Sequence, residues 1–365
     1  MLKYFFGSIL LFHALIHLMG FAKAFGYGKI TQLSAVISKP SGLVWLVTAV
    51  LFLVGVLLFL IKKESWPYLV IIAAIISQIL IISAWQDAKF GSIANVVVML
   101  VSIVAIAGQN FEKQYTKDVK KHLFEIAKIP TDLLTERDIV HLPLPVQKYL
   151  HYCNVLNKPK VKNFRVIFDG QMRDKGKDWF AFQSIQYNFL ENPTRLFFMK
   201  AKMFGVPVLG YHCYQNEKAT MQIKLLGLFN VVNVKGTEMN KAETVTVFND
   251  LCLMVPAALI DKRIEWTAMD VLSAKATYTN GENKITAILY FNELGQLVNF
   301  TSDDRYAIGD MKRYRFSTPV KNYTQINGIK IWNYGDAVWH YPDGEFVYGK
   351  FNLKRIEYNV REFEK

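Results

Sequence analysis

The chain has 365 residues, of which 52% are hydrophobic and 20% are charged, and its formal net charge is +13. The length allows two domains, and because the basic excess is not collected in one block, a nucleic-acid-binding surface is disfavoured. The three cysteines are far apart, which excludes a disulfide framework and the usual zinc spacings.

Four apolar runs dominate the first part of the sequence. Each is near the length that a helix needs to cross the hydrocarbon of a bilayer. A cleaved signal peptide would explain the first run but not the other three. We therefore predict a four-helix transmembrane domain over residues 1–110, formed by Leu2–Phe21, Leu43–Ile61, Pro67–Trp85 and Ile93–Gly108.

The lysines give the predicted topology. With the amino terminus inside, seven of them face the cytoplasm, namely Lys3, Lys62, Lys63, Lys113, Lys117, Lys120 and Lys121. Four then face outward, namely Lys23, Lys29, Lys39 and Lys89. This excess favours a multi-pass protein of the bacterial inner membrane whose carboxyl-terminal domain is cytoplasmic. A lipid-carrying domain would more naturally lie outside, so both sides stay open, with a slight preference for the cytoplasm.

Three polar residues in or near the predicted spans are candidate sites. His13 and His17 are four residues apart and so share one face of the first helix. Ionisable groups at that depth are commonly functional, which allows a metal, haem or quinone site. The alternative is a pair hydrogen-bonded to neighbouring helices, for example to Gln78, Gln86 or Asp87. Asp87 itself is expected to cap a loop at the interface, or to take part in gating or partner contact.

Residues 111–160 predict a helical, amphipathic connector. The segment Glu112–Ala127 mixes charges with apolar residues at helical spacing, and Leu142–Leu150 combines a proline turn with a short helix. Residues 161–365 then alternate polar and apolar positions as strands do. We expect a long, curved antiparallel sheet of about eleven strands, a half-barrel or barrel. Met221–Val234 is predicted as one of these strands, and hairpin turns are predicted at Asn280-Gly281, Asn327-Gly328 and Asp343-Gly344.

One helical stretch, Thr237–Asp261, interrupts these strands. Asn240 is the predicted N-cap, with Glu243 three residues on, and Pro256 is expected to open a second short helix. We predict that these helices, at about 240–260, lie in the hollow of the sheet. That arrangement is compatible with a filled core or with a hydrophobic cavity. The cavity residues would be Phe197, Met199, Leu226, Phe229, Phe248 and Met254, with Glu238 and Arg305 at a polar mouth.

Several segments resemble an uncharacterised bacterial membrane family, the domain of unknown function 6544. They are Leu142–Leu150, Leu225–Leu228, Gly236–Asn240 with Ala242 and Glu243, Trp266, Trp339–Phe346 ahead of Tyr348 and, in the membrane region, His13, His17, Gly20 and Trp85–Gly91. The β pattern also resembles LolA/LppX-type lipoprotein carriers, whose curved sheet is closed by helices over an apolar cavity. This second resemblance is one of fold, which does not fix function.

These observations favour a non-enzymatic membrane protein, because no catalytic motif is present. Its β domain would bind a lipid, a lipoprotein acyl chain or another hydrophobic ligand near the bilayer, with membrane lipids as partners and without a cofactor or nucleic acid. One alternative is a scaffold with a filled core, in which Trp339–Tyr348 or the sheet edge contacts a partner. The other is a redox or metal protein that uses His13 and His17. The sequence does not specify an oligomeric state.

Overall fold

A computed structural model describes residues 2–127 and 132–364 and divides the chain into two compact units, Met1–Phe111 and Glu112–Lys365. Residues 128–131 of the predicted connector lie outside the described residues. The four predicted runs fall in four helices that are long and apolar enough to cross a membrane. These helices are α1 (Leu2–Phe25), α2 (Lys39–Leu60), α3 (Trp66–Ser83) and, after the short α4 (Trp85–Ala88), α5 (Gly91–Ile126).

Close backbone approach joins α1 to α2 in the first unit. A Cβ atom added at Gly20 would lie 2.2 Å from the Trp45 side chain, so only glycine fits at that position. Many large apolar side chains on the other faces of these helices are exposed, including Leu57, Ile79 and Ile82. Such a surface suits contact with lipid better than contact with water.

The fourth apolar helix is longer than predicted. α5 continues without a break through Glu112–Ile126, so the expected connector helix is the second half of α5. This half packs on the β domain: Tyr115 donates a hydrogen bond to the Ile185 carbonyl at 3.1 Å, and Tyr211 donates one to Asp118 at 2.8 Å. Two helices follow, α6 (Glu136–Ile139) and α7 (Leu144–Cys153).

The rest of the second unit is mostly strand, as predicted. The first six strands are β1 (Asn163–Met172), β2 (Phe180–Phe189), β3 (Thr194–Met203), β4 (Val206–Gln215), β5 (Lys218–Leu225) and β6 (Phe229–Lys235). Helix α8 (Thr237–Met254) and a short 3-10 helix (Pro256–Ile260) come next. The later strands are β7 (Ile264–Asp270), β8 (Ser273–Asn280), β9 (Asn283–Phe291), β10 (Leu297–Ser302), β11 (Tyr306–Ala307), β12 (Lys312–Arg313), β13 (Arg315–Ser317), β14 (Val320–Ile326), β15 (Ile329–Tyr341) and β16 (Gly344–Tyr358).

Fourteen of the described strands form one antiparallel sheet with two free edges. Its order is β6-β5-β4-β3-β2-β1-β16-β15-β13-β10-β9-β8-β7, and β14 pairs with β15. The predicted turns at Asn280-Gly281, Asn327-Gly328 and Asp343-Gly344 each join two neighbouring strands, and all three glycines have positive φ. The fold class is therefore confirmed as apolar helices plus an open, curved antiparallel sheet with helices.

Two parts of the strand prediction are wrong. The run Met221–Val234 is not one strand, because Leu226 and Gly227 have positive φ and make a hairpin turn between β5 and β6. Strand β14 was not predicted, since Lys321, Asn322 and Gln325 interrupt the apolar pattern on this short, partly exposed strand.

Helix α8 contacts strands from both halves of the sheet, β4–β6 on one side and β9, β10 and β15 on the other. The sheet therefore curves around this helix. The predicted N-cap is wrong: α8 begins at Thr237, and the Asn240 side chain accepts a hydrogen bond from the Ala219 backbone instead. The 3-10 helix begins at Pro256, as predicted. The three cysteines, Cys153, Cys213 and Cys252, are free and buried.

Candidate functional site

A cavity of about 520 Å³ lies between α8 and the concave face of the sheet. α8 faces it with residues three or four positions apart, from Met239 and Ala242 through Thr246 and Asn249 to Leu253. That spacing places them on one face of the helix. Because α8 is contacted by strands on both sides, the cavity is enclosed by β1–β5 and by β13–β16.

Most of the cavity wall is apolar. Strand β3 shows how the sequence builds it: Phe197 and Met199 are two residues apart, so both side chains point to the concave face. Aromatic and methionine side chains recur around the wall, including Phe168, Met172, Phe180, Met221, Met254, Phe316, Trp332, Trp339, Phe346 and Phe351. A wall of this composition favours a ligand with a long apolar part.

A buried network of charges lies at one part of this wall. Arg195 Nε donates to Asp250 Oδ2 at 2.8 Å, and its Nη1 donates to Glu243 Oε2 at 3.1 Å. Gln186 completes the network by accepting a hydrogen bond from Arg195 Nη2 and donating one to Asp250. His212 Nδ1 lies 3.6 Å from the other Glu243 oxygen. These contacts tie α8 to strands β2–β4.

The two carboxyl groups of the network have opposite pKa shifts. Burial alone raises the pKa of Glu243, but Arg195, His212 and Arg305 together bring it down to about 2. Burial raises the pKa of Asp250, and the Arg195 and Gln186 contacts offset that rise only in part. Both carboxylates raise the pKa of Arg195, Asp250 first and then Glu243, and Glu243 is the one whose own pKa the network lowers.

Arg305 lines the same cavity in a different environment. Its guanidinium carbon lies 4.0 Å from the ring centroid of Phe316 and 5.0 Å from that of Trp339. Nη1 donates to the Tyr348 hydroxyl at 2.8 Å. Among residues 2–127 and 132–364, no carboxylate lies within ion-pair distance of Arg305. An arginine stacked on rings in this way is held in place by cation–π contacts.

Four of the predicted site residues line the cavity. Phe197, Met199 and Met254 belong to its apolar wall, and Arg305 to its polar part. Phe248 does not line the cavity: it is fully buried on another face of α8, stacked on Tyr278 with ring centroids 5.0 Å apart.

The other three predicted positions lie elsewhere. Leu226 is in the β5–β6 turn, and Phe229 at the start of β6 is 61% exposed. Glu238 is exposed in the first turn of α8 and does not pair with Arg305, whose described partners are Tyr348 and the neighbouring rings. The predicted contact of Arg305 with Glu238 is therefore not present.

Arg195 is the main residue that the sequence analysis missed. Its position shares the parity of Phe197 and Met199 on β3, so the alternation already pointed it toward the apolar face. A charge at such a position requires a buried partner. Glu243 was expected to take part in capping α8, but it and Asp250, seven residues on and therefore on the same helix face, are the buried partners of Arg195.

The candidates from the predicted membrane region belong to the first unit. His13 Nε2 is 2.9 Å from Asn95 Oδ1 and 3.1 Å from Ser77 Oγ, so its partners differ from the Gln78, Gln86 and Asp87 that we expected. His17 Nδ1 donates to the His13 carbonyl, and its Nε2 has no hydrogen-bond partner in the described structure.

Asp87 holds a loop: it accepts hydrogen bonds from the Ser34 backbone at 2.7 Å, the Ser34 hydroxyl and the Ala35 backbone. Within the described ranges, no group of three or more His, Cys, Asp or Glu side chains could hold a metal ion. His13 and His17 would thus need ligands of another type.

Two solved structures are similar to the β domain at low identity. A domain described as that of an outer-membrane lipoprotein-sorting protein from Vibrio parahaemolyticus is 8% identical, with a TM-score of 0.32, over 60% of this chain and 93% of that one. A LolA superfamily protein from Nitrosomonas europaea is 10% identical, with a TM-score of 0.33, over 59% and 94%. The expected resemblance is found, but similarity at this level does not identify a ligand.

The sequence comparisons give a family but no characterised relative. No curated protein matches the sequence. The model of a family of unknown function, DUF6544, matches residues 132–351, which is more than half of the chain and includes most of the sheet, α8 and the cavity wall. The chain therefore belongs to the DUF6544 family.

Proposed function

We propose that this protein is a membrane-anchored binding protein that holds one acyl chain in the cavity of its β domain. The observation that carries the proposal is the cavity itself, about 520 Å³ with mostly aromatic and methionine walls. Ligand pockets in proteins are commonly about 300–1,000 Å³ and mainly apolar. A volume in the lower part of this range suits one acyl chain, free or carried by a lipid or lipoprotein.

The methionines of the wall support an adaptable site. Met172, Met199, Met221, Met239 and Met254 all face the cavity. Methionine is unbranched and flexible, so it can follow the contour of chains that differ in length or unsaturation. The proposed site is therefore selective for apolar character more than for one molecular shape.

Binding without catalysis is part of the same proposal. The carboxyl groups of Glu243 and Asp250 are engaged by Arg195, which favours a structural role over proton transfer. Burial raises the pKa of Cys213 to about 11 and that of Cys252 well above its usual value, so neither thiol is suited to act as a nucleophile.

The four apolar helices support a location at the bilayer. They are long and apolar enough to span it, and they would keep the β domain close to a source of acyl chains. We place the protein in the bacterial inner membrane. The lysine distribution favours a cytoplasmic β domain.

The test is equilibrium binding of radiolabelled hexadecanol to the full-length chain held in amphipol. Wild type should bind near one equivalent. Ala242→Trp places an indole in the cavity from α8 and should abolish binding. Glu238→Trp introduces the same residue at an exposed position of the same helix and should bind as wild type does. Thermal unfolding of all three checks that each is folded.

Two results would count against the proposal. If folded wild type binds no hexadecanol, the cavity does not serve an acyl chain. If Ala242→Trp still binds a full equivalent, the chain binds elsewhere. The scaffold alternative then gains weight. Its predicted contact segment, Trp339–Tyr348, offers little surface to a partner, because Trp339 and Tyr348 face the cavity and Trp339 is only 7% exposed.

A further inference from the structure

The cationic side chains of the cavity wall are not equally neutralised. Arg195 has two carboxylate partners, and Lys175 pairs with Asp343. Arg305 has no such partner. In the described part of the chain its hydrogen-bond partner is the Tyr348 hydroxyl, and no carboxylate lies within 4.0 Å of it. An arginine carries five N–H donors, so most of those of Arg305 remain available to a ligand.

The surroundings of Arg305 fix its plane and supply a second donor. Phe316 and Trp339 lie against the guanidinium, with centroids 4.0 Å and 5.0 Å from its central carbon. The Tyr348 oxygen accepts the Arg305 hydrogen bond, which leaves the hydroxyl proton free to donate. A rigid guanidinium beside a phenolic donor is suited to an oxyanion, because its paired N–H groups match two oxygens of a carboxylate or phosphate.

The local charge extends beyond one residue. Arg173, on the same wall, also lacks a carboxylate partner in the described structure; its Nε donates to the Val347 carbonyl and its guanidinium lies 4.3 Å from the Trp179 ring centroid. The wall thus combines a long apolar surface with a part where two guanidinium groups make no direct contact with a carboxylate, Arg305 interacting with Glu243 only at longer range. A neutral hydrocarbon would leave that part without a partner.

We propose that the ligand is a single-chain amphiphile whose terminal oxyanion is bound by Arg305 and Tyr348, with its acyl chain along the apolar wall. This inference rests on the proposed function and adds the chemical class of the ligand. The cavity volume of about 520 Å³ accommodates one chain and a compact head better than a whole diacyl lipid. A carboxylate and a phosphate monoester offer the same recognition chemistry, and experiment separates them.

The test compares three ligands with the same chain: hexadecanoate, hexadecyl phosphate and hexadecanol. Binding is measured on the full-length chain in amphipol at mildly alkaline pH, where the carboxylic acid is ionised. Ala242→Trp serves as the blank for partition into amphipol. Wild type should bind one or both anions about tenfold to one hundredfold more tightly than the alcohol, the range expected for hydrogen bonds to a charged group.

Arg305→Gln should remove that preference by weakening the binding of the anions much more than that of hexadecanol, and thermal unfolding shows that the variant is folded. Tyr348→Phe should reduce the preference in part. Lys175→Gln is the matched control: it removes a positive charge from the same wall, but from a residue already paired with Asp343, and should keep the preference. The anion that is preferred identifies the head group as carboxylate or phosphate.

The outcomes separate this inference from the proposed function. Equal binding of acid, phosphate and alcohol by wild type overturns the oxyanion site and leaves the acyl-chain site intact. An anion preference that survives in Arg305→Gln also overturns it. If none of the three ligands binds to folded wild type, both proposals fall.

Discussion

Arg195 on β3 and Glu243 on α8 form a buried ion pair, with 3.1 Å between Nη1 and Oε2, although 48 positions separate them in sequence. Asp250, two turns further along α8, accepts from the same guanidinium at 2.8 Å. The pair links α8 to β3, and both residues belong to the cavity wall. The pair is important for stability because it is buried, and an unpaired charge at this position could not be solvated.

The first prediction concerns this arginine. Arg195→Met leaves Glu243 and Asp250 buried without a cation and should lower the free energy of unfolding by about 3–5 kcal/mol. Arg355→Met is the control, since Arg355 pairs with Glu357 at an exposed position and should cost less than about 1 kcal/mol. Thermal unfolding of the full-length chain gives the comparison; equal losses for both variants would contradict a special role of Arg195.

The second prediction separates the two carboxylates. Glu243→Gln removes the carboxylate whose pKa the network lowers and should cost about 1–3 kcal/mol. Asp250→Asn removes a charge that burial already disfavours, as its raised pKa indicates, and keeps an oxygen acceptor for Arg195. It should cost less than Glu243→Gln. The reverse order of unfolding temperatures would show that Asp250 is the main counterion.

The third prediction is a pH dependence with a defined sign. Glu243 has a folded-state pKa of about 2, below its unfolded value, so its contribution is present above about pH 4.3 and is lost as pH falls toward 2. The shift corresponds to a contribution on the order of 3 kcal/mol. Asp250, whose folded pKa is raised, acts in the opposite direction: its contribution is present at low pH and lost as pH rises through that pKa.

The neighbours that set this dependence are Arg195, His212, Asp250 and Arg305. The difference in unfolding temperature between wild type and Glu243→Gln should therefore shrink as pH falls from about 5 to about 2. The same difference for Asp250→Asn should not shrink. A Glu243→Gln difference that stays constant over this range would mean that the Glu243 pKa is not depressed in the folded state.

The sequence predicted the elements of this fold better than its contacts. Apolar run length identified the four long apolar helices, and period-two alternation with turns such as Asn280-Gly281 identified most of the sheet. These signals are local, so a single sequence is enough to detect them. The error at Leu226 is local too: a leucine with positive φ is uncommon, and nothing in its residue type predicts a turn there.

The site was harder to predict because it depends on curvature. Phe197 and Met199 were found from strand parity, whereas Phe248 was placed on the wrong side of α8. A helix between two sheet halves is buried on most of its faces, so its apolar pattern does not show which face borders the cavity. Which carboxylates come close enough to pair with Arg195 depends on how strongly the sheet curves around α8. Whether the hollow is filled or empty depends on side-chain volumes that a polar–apolar pattern does not record.

The fourth prediction concerns the packing of α1 on α2. A Cβ atom at Gly20 would lie 2.2 Å from Trp45, whereas one at Gly7 would be 3.8 Å from its nearest neighbour, Phe59. Gly20→Ala should therefore destabilise the protein by about 1–3 kcal/mol through overpacking. Gly7→Ala should be neutral or stabilising, since alanine favours helix. Equal behaviour of the two variants would argue against close contact of these helices.

The fifth prediction tests the two membrane-region histidines by the same substitution. His13 Nε2 faces the Asn95 amide oxygen at 2.9 Å, and Asn95 in turn donates to Gln78. His13→Phe would leave these buried polar groups without a partner and should cost about 1–3 kcal/mol. His17 Nε2 has no partner among the residues that the structure describes, and the centroid of its ring lies 5.2 Å from that of Trp45 and 5.7 Å from that of Phe52.

His17→Phe should therefore change the free energy of unfolding by less than about 1 kcal/mol. It removes a bond to the His13 carbonyl, which the helix backbone also satisfies, together with a buried nitrogen that has no partner in the described structure. A metal or haem role predicts the opposite order, since losing His17 would remove a ligand. Metal analysis and a visible absorption spectrum on wild type and on both variants, beside thermal unfolding, decide between the two. Bound metal that disappears in His17→Phe would establish a ligand role for His17. If the His17→Phe variant is stable and its spectrum is unchanged, His13 remains a structural residue whose hydrogen bonds join three helices.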